Sequence, residues 1–177
     1  MNSENAERLA EFNDYYGKKI VRNHLLSKGV AKDKIFDTRK YYAVDLIVEW
    51  KNIIYLIEIK NRYCPPKYYR NLQGFALHDK KYESIQELMK ELEVYHNKEV
   101  RAKYVNITQT DFYLHDITNL NLNELELQVK ETQLKTGSKK KKENNFYQLP
   151  PATGKKNNLN KKDMNERDDY FSRGNWE

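Results

Sequence analysis

The sequence predicts an α+β (α/β) fold, a mixed central β-sheet flanked by helices, on three observations. The segment YYAVDLIVEWKNIIYLIEIKNR, residues 41–62, holds two runs rich in β-branched and aromatic residues joined by Trp50-Lys51-Asn52, which reads as two strands and a turn. Residues 5–28 and 80–96 repeat apolar side chains at steps of three and four, the period of an amphipathic helix. Further short β-like runs follow the second helix. A helix, three strands, a helix and another strand is the order of an α+β or α/β domain with a mixed sheet.

The first helix carries Leu9, Phe12, Tyr16, Ile20, Val21, His24 and Leu25 on its apolar side, with Gly29 as the expected C-cap. KIFDTRKYYAVDLIVEW holds one short strand or strand edge and then the strand of Asp45. IIYLIEIKNRY is apolar on both faces before its charges begin, as expected of a central strand. CPPKYYRNLQGFALHD reads as a loop opened by Pro65-Pro66, where Lys67 and Arg70 interleave with Tyr68 and Tyr69; such residues either clamp phosphates and stack on bases or cover the edge of the core. The helix over 80–96 places Tyr82, Ile85, Leu88, Met89, Leu92 and Tyr95 on one face, with Asp79 as N-cap and Lys81-Tyr82 in its first turn. AKYVNITQTDFYLHDI gives two short strands or one bent strand. LELQVKETQ alternates as a strand, NNFYQLP is its expected hairpin partner, and the lysine-rich KTGSKKKKE connects them. Residues 1–151 are therefore expected to form one domain, and 152–177, which lack any period, a flexible polar tail.

Three charges stand where the apolar pattern does not call for them. Asp45 interrupts Ala43, Val44, Leu46, Ile47 and Val48, while Glu58 and Lys60 interrupt the next run. Burying a lone carboxylate or ammonium costs several kcal/mol, so such groups persist when paired, metal-bound or opened onto a cleft. Glu58 and Lys60, two residues apart, share one face of a strand. A turn near residues 50–52 sets Asp45 across from residue 57 or 58, and two carboxylates with an ammonium on one patch make a candidate active site. The bland alternative is a locally paired Asp45 and an ordinary Glu58–Lys60 ion pair on a sheet edge.

The pattern Asp45, twelve residues, Glu58-Ile59-Lys60 resembles the signature of the PD-(D/E)xK, or restriction-endonuclease-like, nuclease superfamily, and with the downstream HDKKYESIQELMKEL and AKYVNITQTDFYLHDI the chain resembles its small phage-encoded members over roughly residues 5 to 150. Val44 stands where the family often has Pro, and no one of Glu7, Glu11 and Asp14 is an unambiguous counterpart of the first-helix acid that some members use. The resemblance implies an αβββαβ core and a Mg²⁺- or Mn²⁺-dependent nuclease acting in phage DNA replication, recombination or processing. It further implies that Asp45, Glu58 and the Ile59 carbonyl hold the metal, with Asp45, Glu58 and Lys60 catalytic. Hard carboxylate oxygens suit those ions. Lys60, beside the cation and partly desolvated, is expected to have a lowered pKa and to orient or deprotonate the attacking water. Arg62, Lys67, Tyr68, Tyr69, Arg70 and Lys81 are candidate nucleic-acid contacts.

Charge distribution adds the lysine run to that set. Residues 1–134 carry 21 basic and 20 acidic side chains, residues 135–162 carry 9 and 1, and residues 163–177 carry 2 and 5, within a net charge of +6. The excess thus lies in one segment that includes Lys139, Lys140, Lys141 and Lys142, which points to a polyanion: DNA, or RNA as the alternative. A non-cleaving nucleic-acid-binding protein on the same fold, and an interaction module for phage enzymes, remain the competing functions, and homodimerisation is left open. No run approaches the ~18 apolar residues of a membrane span. The N-terminus lacks the pattern of a secretory signal, and the single Cys64 and four scattered His give no zinc-site spacing, so a cytoplasmic setting without membrane attachment is expected.

Overall fold

The computed structural model describes residues 3–39, 42–61, 75–133 and 141–173. Helix α1 (Ser3–Ser27) leads into strands β1 (Ile35–Asp37), β2 (Leu46–Trp50) and β3 (Ile53–Asn61). Strand β4 (Phe75–His78) runs into helix α2 (Asp79–His96), and β5 (Glu99–Ile107), β6 (Asp111–Asp116), β7 (Leu127–Gln133), β8 (Lys141–Leu149), β9 (Lys155–Asn158) and α3 (Lys161–Arg173) follow. Six strands form one sheet in the order β1-β2-β3-β5-β6-β9, and β4-β8-β7 form a second. In the large sheet β3 and β5 are parallel and the other neighbours antiparallel, so it is mixed and the chain is an α+β protein. The expected hairpin of LELQVKETQ with NNFYQLP is the β7–β8 pair.

The β2–β3 hairpin sets the register that matters most. Lys51 and Asn52 both have positive φ, 53° and 63°, the backbone of a two-residue type I′ turn. Trp50 therefore pairs with Ile53 and Leu46 with Ile57, which puts Asp45, just before β2, beside Glu58. Alternation sorts the remaining side chains onto two faces. Leu46, Val48, Ile57, Val105 and Ile107 pack with Tyr16, Ile20 and Val21 of α1. Ile54, Leu56, Val100, Ala102 and Tyr104 pack with Tyr82, Ile85, Leu88 and Met89 of α2 and with Phe75, Leu77 and Leu149 of the second sheet. Glu58 and Lys60 continue the second set by the same alternation. Helix α1 lies close over β3 at Gly17, where a Cβ would come 3.0 Å from Ile59 Cγ2. It ends as expected at Gly29, whose φ of +85° suits glycine.

Three expectations need correction. The N-cap of α2 is His78, whose Nδ1 accepts from the Lys80 N–H at 3.1 Å; Asp79 is the first helical residue. Tyr95 is 83 % exposed, because the buried stripe of α2 drifts off that position in the last turn. The segment read as a flexible tail is strand and helix through Arg173. Strand β9 pairs with the β6 edge from Asp111–Asn158 to Leu114–Lys155. Helix α3 then packs mainly through polar atoms, with Met164 against the core and Tyr170 stacked on Phe12: the Tyr16 hydroxyl donates to the Asp163 carbonyl at 2.8 Å, and Arg167, 2 % exposed, donates to the Gln109 carbonyl and to Asp168. Lys19 pairs with Glu166 across the same contact. Among the described residues no helix is long and apolar enough to cross a membrane.

His115 lies within β6, 1 % exposed, beside the Phe75 ring and 3.3 Å from Thr153 Oγ1, with no hydrogen-bond partner for Nε2 among the described residues. Burial lowers its pKa from 6.5 to about 4. Between those values the unfolded chain binds a proton that the folded chain refuses, so this residue lowers stability as pH falls through the window, by at most ~3 kcal/mol.

Two measurements test this packing. Arg167→Ala should lower unfolding free energy by about 2–4 kcal/mol in denaturant titration, since it leaves the Gln109 carbonyl and Asp168 without a buried cation; an unpacked tail would give no change. The thermal midpoint of wild type should fall more between pH 7 and pH 5 than that of His115→Gln, and parallel curves would remove His115 from the pH dependence.

Candidate active site

The site begins with the hairpin. Asp45 N–H donates to the Ile57 carbonyl at 2.9 Å, extending the β2–β3 ladder by one bond, and Asp45 Oδ2 accepts from the Ile59 N–H at 2.6 Å. The carboxylate is thereby fixed against β3 at the point where β2 begins. In a strand the N–H and C=O of one residue project to the same edge. Ile59 N–H reaches Asp45, so the Ile59 carbonyl also lies on the edge beyond the start of β2. Thr38 braces the other side, its N–H donating to the Asp45 carbonyl at 3.2 Å and its hydroxyl to Val44.

Glu58 is 1 % exposed and stands between two lysines. Its Oε1 is 3.1 Å from Lys60 Nζ, and its Oε2 is 3.2 Å from Lys81 Nζ. Lys81 also donates to the carbonyls of Ala43 at 3.3 Å and Tyr42 at 3.4 Å, so it ties α2 to the segment leading into β2. Lys81 is thus brought to the carboxylates themselves, although its sequence position also suits an exposed first-turn lysine. Glu58 Oε2 nonetheless lacks a hydrogen bond among the described residues, since its contact with Lys81 has the distance of an ion pair without hydrogen-bond geometry.

The charges act on one another. Asp45 is raised from 3.8 to about 6, first by burial and then by the neighbouring Glu58, against the Ile59 N–H, Lys60 and Lys18. Lys60 departs from expectation. Burial is the largest influence on it and pulls its pKa down, but Glu58, Tyr104 and Asp45 together hold it above the ordinary lysine value. With its side chain 49 % exposed, the ammonium stays within reach of water and keeps its proton.

The surrounding cleft, about 460 Å³, is lined by the N-terminal half of α1 as well as by the hairpin. Glu7, Glu11 and Asp14 all face it, together with Lys18 and Arg39. Asp14 is held by Lys18 at 2.9 Å, and no acid of α1 joins the pair: among the described residues there is no cluster of three or more His, Cys, Asp or Glu side chains that could hold an ion. A divalent cation here would rest on Asp45, Glu58 and the Ile59 carbonyl. Those residues fit one, because Glu58 Oε2 is short of a hydrogen bond and ionised Asp45 is disfavoured beside Glu58, two deficits that a cation relieves. Mg²⁺ commonly binds through one or two carboxylates and keeps several waters.

Of the remaining candidates, Arg62, Lys67, Tyr68, Tyr69, Arg70, Lys139 and Lys140 lie outside the described residues, and Lys141 and Lys142 open β8. Residues that the charge pattern did not single out also belong to the site. Lys18 acts on Asp45, Tyr104 acts on Lys60, and Asn61 donates to Asn13 at 3.1 Å, linking β3 to α1. Lys18 and Asn13 lie on the helical repeat of α1 that faces the sheet edge, a signal available only once the hairpin's position is known. No protein-family model matches the chain, and no curated protein matches it significantly.

Lys81→Ala should cost about 1–3 kcal/mol in unfolding free energy by leaving a buried carboxylate oxygen without its cation. In Glu58→Gln the same substitution should cost less by about 1 kcal/mol or more, and additive losses in that double-mutant cycle would show the two residues to be uncoupled.

Proposed function

We propose that the chain is a metal-dependent nuclease of the PD-(D/E)xK type, hydrolysing phosphodiester bonds in DNA. The observation that carries this reading is the placement of Asp45, at the entry to β2, beside Glu58 of the adjacent strand β3, with the Lys60 ammonium 3.1 Å from Glu58. Phosphodiester hydrolysis requires an activated water and neutralisation of charge on the phosphate and the leaving oxygen. Asp45, Glu58 and the Ile59 carbonyl would hold a Mg²⁺ or Mn²⁺ ion, which would supply Lewis acidity and make a water it binds more acidic.

The chain's own residues do the rest. Lys60, protonated by virtue of its acidic neighbours, points its N–H donors at a water or phosphate oxygen beside the carboxylates; as a fixed cation it orients and stabilises, and it does not serve as the base. Lys81 offers a second cation to the same phosphate while it screens Glu58. The walls of α1 and the Tyr42 segment narrow the approach to the carboxylates.

A second reading has its own support. Glu58 is already flanked by two lysines, so the cluster is close to charge-balanced by the protein alone, as suits a nucleic-acid-binding protein on the same fold that does not cut. Cleavage of a panel of linear, single-stranded and branched DNAs, with chelator as control, separates the two.

Under the nuclease reading, Mn²⁺ should raise the melting temperature of wild type and of Lys60→Ala but not of Asp45→Asn or Glu58→Gln. Cleavage should fall at least about a hundredfold in both carboxylate variants and in Lys60→Ala, while Lys60→Arg, which keeps the charge, should retain part of it. Full cleavage by Asp45→Asn and Glu58→Gln at saturating Mg²⁺ would overturn the assignment.

A further inference from the structure

A second cavity, of about 730 Å³, adjoins the carboxylate cleft and shares Tyr42, Lys60 and Lys81 with it. The two differ in character. The carboxylate cleft is lined by five acidic residues, whereas no carboxylate lines the second cavity among the described residues. Its walls are aromatic and cationic: Tyr42, His78, Tyr104 and Phe146 line it together with Lys60, Lys80 and Lys81. Phe146 and His78 meet edge to face at 5.0 Å, which brings the second sheet against the start of α2. Tyr104 donates its hydroxyl to the Ala76 carbonyl at 2.8 Å, so that ring is held in place.

Aromatic rings beside cations suit a ligand with a flat π-face and flanking anionic charge, as in a nucleotide of a strand. The volume lies within the roughly 300–1,000 Å³ of pockets that enclose small organic groups, so the cavity has room for a base. A base inside a duplex has both faces covered by its neighbours and must first be unpaired and unstacked, at a cost of a few kcal/mol, whereas a base on a single strand can be splayed out and stacked without that cost. We propose that this cavity receives an unstacked nucleobase, with the adjoining phosphates of its strand met by Lys60, Lys80 and Lys81. The strand delivered to Asp45 and Glu58 is then single-stranded where it enters. This deepens the nuclease reading and rests on it for the class of ligand.

The test uses the full chain in chelator, which removes cleavage from the measurement. Single-stranded DNA and RNA oligonucleotides carrying one fluorescent purine analogue, and the same strands annealed to complements, are titrated with protein. A saturable change in emission is expected with one or both single strands, with much weaker binding of the duplexes. Tyr42→Leu and Phe146→Leu, which keep apolar bulk but remove a ring, should each weaken single-strand binding by roughly tenfold, the effect of losing one base–aromatic stack. Should Phe146→Leu fail to fold by circular dichroism, Tyr42→Leu decides alone, since Tyr42 is 44 % exposed. Duplex binding as tight as single-strand binding, no emission change with either single strand, or unchanged affinity in the folded variants overturns the proposal. Restoring Mg²⁺ keeps the two readings apart. A chain that captures the base but never cuts loses the nuclease assignment and keeps the cavity; one that cuts duplex while both variants bind normally keeps the nuclease and loses the cavity.

Discussion

A carboxylate with almost no contact with solvent must be compensated by what surrounds it, and in this protein that carboxylate is Glu58, on the central strand of the sheet. Its neighbours follow from that requirement. Lys60 is on the same face because a strand repeats every two residues. Lys81 reaches Glu58 because α2 packs Tyr82, Ile85, Leu88 and Met89 against the face that Glu58 shares with Ile54 and Leu56. Asp45 arrives through a two-residue turn, and a one-residue change of register would send it to the α1 side of the sheet. The apolar core, the turn and the helix docking thus converge on one buried charge, and each holds the others to a narrow geometry.

Much of that arrangement was legible in the sequence because it depends on local period. The hairpin turn, the pairing of residue 45 with residue 57 or 58, and the shared face of Glu58 and Lys60 follow from alternation alone. The helices over residues 3–27 and 79–96 also follow from period, with shifts of a residue or two at their ends, while a mixed sheet follows from the order of the elements. What escaped depends on polar contacts between distant segments. Strand β9 is Lys-Lys-Asn-Asn, with no apolar side chain; backbone pairing to an open edge of the sheet defines it. Helix α3 is held largely by a guanidinium, a tyrosine hydroxyl and an ion pair, with Met164 on the α1 core and Tyr170 stacked on Phe12 as its apolar contacts, too few to set a hydrophobic period.

The direction of the Lys60 shift is not legible in the sequence for a related reason. Desolvation can be anticipated from an apolar strand, but the opposing field of Glu58, Tyr104 and Asp45 depends on β5 lying parallel beside β3 with Tyr104 opposite Glu58. That pairing is a crossover, made across α2, and a single strand's sequence carries no mark of it. The consequence for chemistry is specific. A lysine held protonated between two carboxylates suits fixing an anion or a water better than accepting a proton.

The contact between α1 and α3 bears on how the chain reaches this state. Tyr16 and Asp163 are separated by 147 residues in sequence, and the tyrosine ring is wholly buried. On a growing polypeptide α1 emerges well before α3, so the Tyr16 hydroxyl has no carbonyl to meet until synthesis has passed Asp163. The β2–β3 hairpin, by contrast, is local and can close early. Such a high contact order slows folding and leaves apolar surface uncovered in partly made chains. The α1 wall of the cleft therefore gains its support from α3 only after the hairpin it faces can already have closed, so the two sides of the cleft are fixed at different stages of folding.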